Sequence, residues 1–130
     1  MPGYCCYVHI NNYIKMKTIK KPWGKEEIIE VNSKYMLKKL TMKKCHRCSL
    51  QYHNKKKETI YVLSGKLRIF YGKTKRTLKS KIFNPNTSVT IKTGDVHRMM
   101  AIKNSVYLEA STPQNYDVIR LSDDYKRINS

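Results

Sequence analysis

From residue 27 onward the apolar residues come in short bursts that alternate with polar ones, and turn-forming residues separate the bursts. This two-residue rhythm predicts strands near 27–31, 35–42, 48–53, 58–64, 66–72, 77–83, 87–92, 97–103, 105–111 and 117–121. Ser64-Gly65 divides two β-rich runs at hairpin distance, and Asn84-Pro85-Asn86 and Lys103-Asn104-Ser105 break two further pairs. No stretch keeps a long helical period, and no internal repeat is present. Many short strands without intervening helices mean an all-β, antiparallel sandwich or barrel, a fold that often holds a small-molecule site in its interior.

Strand alternation then selects candidate chemistry. Gln51 and His53 lie two apart and so share a face; Glu58 follows after a short loop, and His97 arrives from a distant strand behind Gly94-Asp95. Their spacing points to one metal site made of Gln51, His53, Glu58 and His97. On the same parity Arg47 and Ser49 continue the first set inward, Ile60 and Val62 the second, and Met99 and Ala101 the third. Tyr52, Thr59, Tyr61 and Arg98 fall on the opposite, mixed face, open to solvent or a partner. A barrel with a polar mouth and an apolar floor fits this arrangement.

Composition adjusts the picture in three respects. A chain of 130 residues fits one domain, and no apolar run approaches the roughly 18 residues that span a membrane. The formal charge of +18 invites a nucleic-acid reading, but the basic residues are mainly Lys and are spread from Lys15 to Arg127. Phosphate and base readout favours clustered Arg, so nucleic acid is not the expected partner, and the positive field suits a small anionic substrate instead. Cys5, Cys6, Cys45 and Cys48 do not make a disulfide framework, and Cys45-His46-Arg47-Cys48 is only half of a zinc knuckle. Buried or free thiols in a reducing, cytoplasmic compartment are expected.

Residues 1–15 differ in character from the rest and read as an N-terminal extension, flexible or paired to a sheet edge, ahead of a domain over 16–130. Trp23 in Lys21-Pro22-Trp23-Gly24 reads as a packing anchor for that end of the chain.

The stretches CHRCSLQYHNKKKETIYVLSGKLRIF and TGDVHRMMAI, with the opening KPWGKEEIIEV and the closing STPQNYDVIRLSDDYKR, resemble the cupin family. More narrowly they are similar to the small cupins like the C-terminal domain of type II mannose-6-phosphate isomerases, from about Lys20 to Arg127. The resemblance implies a double-stranded β-helix, or jelly-roll barrel, and by family analogy a homodimer. It places ligands at Gln51, His53, Glu58 and His97, favours zinc as the ion, and links Asp123, Asp124, Tyr125 and Arg127 to isomerase activity. Lys92, Ala101 and Cys45 depart from the pattern, standing where proline, asparagine and glycine are usual.

Aldose–ketose isomerisation moves a proton between adjacent carbons while a divalent ion steadies the neighbouring oxygens. Mixed N and O ligands leave open positions for those oxygens and are compatible with Zn, Mn, Fe, Co or Ni. Arg47, Arg120 and Arg127 are the candidate phosphate anchors, with Tyr125 beside them and Lys57 in the lysine run at the mouth. Glu109, between Leu108 and Ala110, either works on protons or is paired with a nearby cation. The expected activity is metal-dependent conversion of mannose 6-phosphate and fructose 6-phosphate; a non-catalytic metal- or sugar-binding cupin and an iron-dependent cupin oxygenase are the alternatives.

Overall fold

The computed structural model describes residues 16–127, all of it strand, turn or loop. Eleven strands form: β1 (Lys17–Lys21), β2 (Gly24–Val31), β3 (Met36–Met42), β4 (Leu50–Tyr52), β5 (Glu58–Ser64), β6 (Leu67–Gly72), β7 (Lys79–Phe83), β8 (Ser88–Ile91), β9 (Val96–Ala101), β10 (Ser105–Ser111) and β11 (Ile119–Ser122). They make two antiparallel sheets, ordered β1-β2-β3-β10-β5-β8 and β11-β4-β9-β6-β7. This is the expected all-β cupin jelly roll. Among the described residues no helix is long and apolar enough to cross a membrane. The extension expected over 1–15, with Cys5 and Cys6, lies outside the described residues.

Alternation builds both the core and the site. On β3 the inward positions are Met36, Lys38, Leu40 and Met42; on β5 they are Glu58, Ile60 and Val62; on β10 they are Ser105, Tyr107, Glu109 and Ser111. Leu40, Met42, Ile60, Val62 and Tyr107 meet Leu67, Ile69, Met99 and Ala101 of the facing sheet in one buried cluster. Each large aliphatic side chain there contributes about 1.5–3 kcal/mol by leaving water. The charged members, Lys38, Glu58 and Glu109, fall at the other end of the same inner face, and all are buried. One inner surface therefore has an apolar floor and a charged end.

Two glycines are sterically required. A side chain at Gly24, the first residue of β2, would put its Cβ 1.9 Å from the Thr41 carbonyl oxygen near the end of β3. At Gly65 the backbone has φ +86° and a Cβ would lie 2.4 Å from the Asn104 carbonyl oxygen, so the β5–β6 turn needs glycine.

Three expectations are corrected. β1 was not anticipated, because Lys17–Lys21 offers a single apolar residue, Ile19, and pairs only with β2 at the sheet edge. The run expected as a strand over 48–53 is regular only over Leu50–Tyr52, with Arg47 in an isolated bridge to Met100. Parity therefore does not carry back from Gln51, and Arg47 turns outward to Asp124. Arg98, expected on an open face, is 7% exposed, its Nε donating to the Cys48 carbonyl at 2.9 Å. Cys45 is exposed and Cys48 buried, both as free thiols.

Candidate metal centre

β-Ladder register aligns part of the site within one sheet. Gln51 on β4 stands directly opposite His97 on β9 and opposite Arg120 on β11, so the three share one face. His53 follows β4, and the loop 54–57 leads to Glu58, which begins β5 in the other sheet. One ligand atom each from His53, Glu58 and His97 lie within 4.8 Å of one another, and all three residues are buried. Glu58 Oε1 is 2.9 Å from His97 Nε2 and 3.6 Å from His53 Nε2.

Hydrogen bonds on the far side of each ring decide what those Nε2 atoms are. His53 Nδ1 donates to the Asp117 carbonyl, and His97 Nδ1 donates to the Asp95 carbonyl at 3.0 Å. A carbonyl oxygen only accepts, so both rings carry hydrogen on Nδ1 and, when neutral, present a bare lone pair at Nε2. Neither Nε2, nor either Glu58 oxygen, has a hydrogen-bond partner of good geometry, although all four atoms are buried. Two lone pairs and a carboxylate converging in the interior repel unless a cation or proton sits among them. The donor set fits a divalent ion, and backbone carbonyls behind the imidazoles are the usual means of orienting metal-ligating histidines. Gln51 Oε1 accepts the Ser49 hydroxyl at 2.6 Å and retains a second lone pair.

Behind this cluster runs a buried ionic chain. Lys56 Nζ lies 3.2 Å from Glu58 Oε2 and 3.1 Å from Glu109 Oε2. Burial pushes Glu58 up, but without an ion a proton carried at Nε2 of His53 or His97, together with Lys56, outweighs it and holds the carboxyl well below its ordinary range. Glu109 moves the other way: burial and the Glu58 charge raise it, with Lys56 opposing. Burial alone would lower Lys56, yet Glu109 and Glu58 raise it, so it stays an ammonium.

Gln51, His53, Lys56 and Glu109 line a cavity that also takes in Lys21, Trp23, Glu26, Lys38, Tyr107, Arg120 and Arg127. Of the residues singled out from sequence, Gln51, His53, Glu109, Arg120 and Arg127 thus border one space, and Glu58 and His97 sit directly behind His53. Three others do not reach it. Arg47 makes a two-pronged pair with Asp124, at 2.6 and 2.9 Å. Tyr125 stacks on His46 with ring centroids 6.4 Å apart, and Arg127 lies over its ring. Lys57 is exposed on the outer wall, whereas Lys56, expected in a solvated run, is the lysine that turns inward. Lys56 lies in the loop ahead of β5, where strand alternation does not run, so periodicity did not mark it. Lys21 and Asp117 carry no such mark either.

Arg127 is fixed by Asp123, whose carboxylate accepts its backbone N–H, Nε and Nη2 at 2.7, 2.8 and 3.0 Å. Asp117, further back, accepts the amides of Asn54, Lys55 and Lys56 at 3.1, 2.6 and 2.9 Å. The terminal segment therefore both borders the cavity and grips the loop between His53 and Glu58.

A two-sheet antiparallel barrel with a histidine, glutamate, histidine cluster at its charged end defines a cupin. Residues 9–128 match the family described as mannose-6-phosphate isomerase C-terminal, and the chain belongs to that family. A mannose-1-phosphate guanylyltransferase of Salmonella typhimurium is 25% identical over 122 residues, covering 86% of this chain and 23% of that protein. This chain thus spans about a quarter of the length of such relatives. Among solved structures, the capsular polysaccharide assembling protein CapF of Staphylococcus aureus superposes with TM-score 0.73 at 15% identity, over 85% of this chain and 35% of that one. Oxalate decarboxylase of Bacillus subtilis, in a study of its Mn(II) centres, gives TM-score 0.70 at 18% identity, over 81% and 30%. These two likenesses establish the fold.

Proposed function

We propose that the chain is a metal-dependent sugar-phosphate isomerase of the mannose 6-phosphate and fructose 6-phosphate type. The carrying observation is the pair of imidazole Nε2 atoms aimed at the buried Glu58 carboxylate beside an open cavity. His53, Glu58, His97 and the amide oxygen of Gln51 would hold the ion, zinc by family analogy, with Mn, Fe, Co and Ni compatible. When bound, such an ion polarises the carbonyl and hydroxyl oxygens of an open-chain sugar.

The chain's own groups supply the rest. Glu109 borders the cavity with its carboxyl raised above the ordinary range, the direction a proton-transferring group requires to work near neutrality. In this role it takes the proton from one carbon and returns it to the neighbour, while Lys56 fixes its carboxylate from behind. Lys21, Arg120 and Arg127 also line the cavity and would receive the phosphate. In this reading the substrate's carbonyl end would face His53 and its phosphate Arg127.

The test is a chelated preparation reloaded with each metal in turn and assayed for mannose 6-phosphate to fructose 6-phosphate conversion. Turnover should follow bound metal and fall by at least about 1000-fold in His53→Ala. Stoichiometric metal with no turnover across a panel of aldose and ketose phosphates would instead establish a metal- or sugar-binding cupin. Oxygen consumption with ferrous iron would establish an oxygenase.

A further inference from the structure

We propose that Asp117 is the positioning residue of the metal centre, templating the loop that separates His53 from Glu58. The inference rests on the metal reading above but concerns a residue outside the donor set. Only residues 54–57 lie between the two donors, and every backbone N–H in that stretch is received by the segment that precedes β11. Asn54, Lys55 and Lys56 donate to the Asp117 carboxylate, and Lys57 donates to Thr112 Oγ1 at 3.1 Å. The Lys57 carbonyl in turn accepts the Thr112 N–H at 3.0 Å. Asp117 also supplies the carbonyl that receives His53 Nδ1, so one residue sets both the course of the loop and the rotation of the ring.

Three amides converging on one carboxylate are charge-assisted bonds, stronger and more directional than neutral ones. Without that carboxylate the loop keeps its sequence and its donors but loses the anchor that holds His53 against its backing carbonyl and Glu58 at the start of β5. Groups that orient metal ligands in this way typically change metal affinity by about 10–100-fold when removed. Asp124 offers a matched comparison. It anchors the same terminal segment through Arg47 and touches neither the loop nor a donor.

The experiment measures Co²⁺ binding by its visible absorption and Zn²⁺ binding by competition with a chromophoric chelator, on the full chain. Asp117→Ala should weaken both by about 10–100-fold, Asp117→Asn, which keeps an acceptor oxygen, by less, and Asp124→Ala by under about twofold. Circular dichroism and the urea midpoint of each metal-free variant establish that folded chains are compared; if Asp117→Ala does not fold, Asp117→Asn carries the comparison. Affinity within about twofold of wild type in the folded Asp117 variants overturns the inference, as does an equal loss in Asp124→Ala, which would make any loosening of the segment sufficient. A wild-type chain that binds neither ion stoichiometrically overturns the metal reading itself, a result distinct from either of these.

Discussion

Lys56 balances two carboxylates that cannot otherwise coexist at their spacing. Its Nζ bridges them, 3.1 Å from Glu109 and 3.2 Å from Glu58, and its side chain is 6% exposed. Deleting one partner of a buried ionic group leaves the others uncompensated and costs about 3–5 kcal/mol. Lys56→Met should therefore lose about that much in urea denaturation of the chelated, metal-free chain. Glu109→Gln should cost less than about 2 kcal/mol, because Lys56 keeps Glu58 and the amide still accepts a hydrogen bond. Equal losses in the two variants would contradict the assignment of Lys56 as the hub. At this scale the sequence was informative where a rule of periodicity applied: His53, Glu58 and His97 converge as their spacing implied. It misled at Arg47, where the strand that would have turned the side chain inward does not extend that far. It was silent on Asp117, because a residue that acts by receiving loop amides has no distinguishing neighbour pattern.

At the scale of elements, the same contrast separates regular strands from their connections. Strands such as β3, β5 and β10 follow from alternation because each has an inner face that the core rewards, whereas β1 has one apolar residue and a single neighbour to pair with. The turn before β4 shows what a departure from family pattern does physically. Cys45 stands where glycine is usual and adopts φ 68°, in the left-handed region, while its N–H donates to the Ala101 carbonyl at 2.9 Å. A side chain in that conformation costs about 1–2 kcal/mol, and glycine gives back about 0.5–1 kcal/mol through its freer unfolded chain. Cys45 is exposed, so little packing is lost. Cys45→Gly should thus raise stability by roughly 0.5–1 kcal/mol, read as a higher urea midpoint with an unchanged slope. A lower midpoint would show that the thiol makes contacts that outweigh the backbone strain.

Across the whole molecule, 27 basic residues face nine acidic ones, and three of the acidic ones hold the terminal segment in place. Asp123 secures Arg127, Asp124 secures Arg47, and Asp117 secures the loop at the metal centre. The Arg127 side chain holds Asp123 at about 2, against the opposing effect of burial, and Arg47 likewise lowers Asp124. An aspartate in an unfolded chain titrates near 3.9. Because the folded value lies below the unfolded one, the stabilisation from Asp123 is fully present above about pH 4 and disappears as pH falls toward 2. Over the same interval the neutralised carboxylates leave the cations unopposed, and a charge of +18 at neutrality becomes more positive still. Acid unfolding should therefore set in between about pH 4 and 2, followed by far-UV circular dichroism, and should shift to lower pH in 1 M salt, where the screening length falls to about 3 Å. Asp123→Asn separates the local contribution from the global one. It should be less stable than wild type at pH 6 and converge with it near pH 2, since the variant has no carboxylate left to protonate at that position. Curves that stay parallel across that range would mean the Asp123–Arg127 clasp contributes nothing to acid sensitivity, leaving general charge repulsion as its cause.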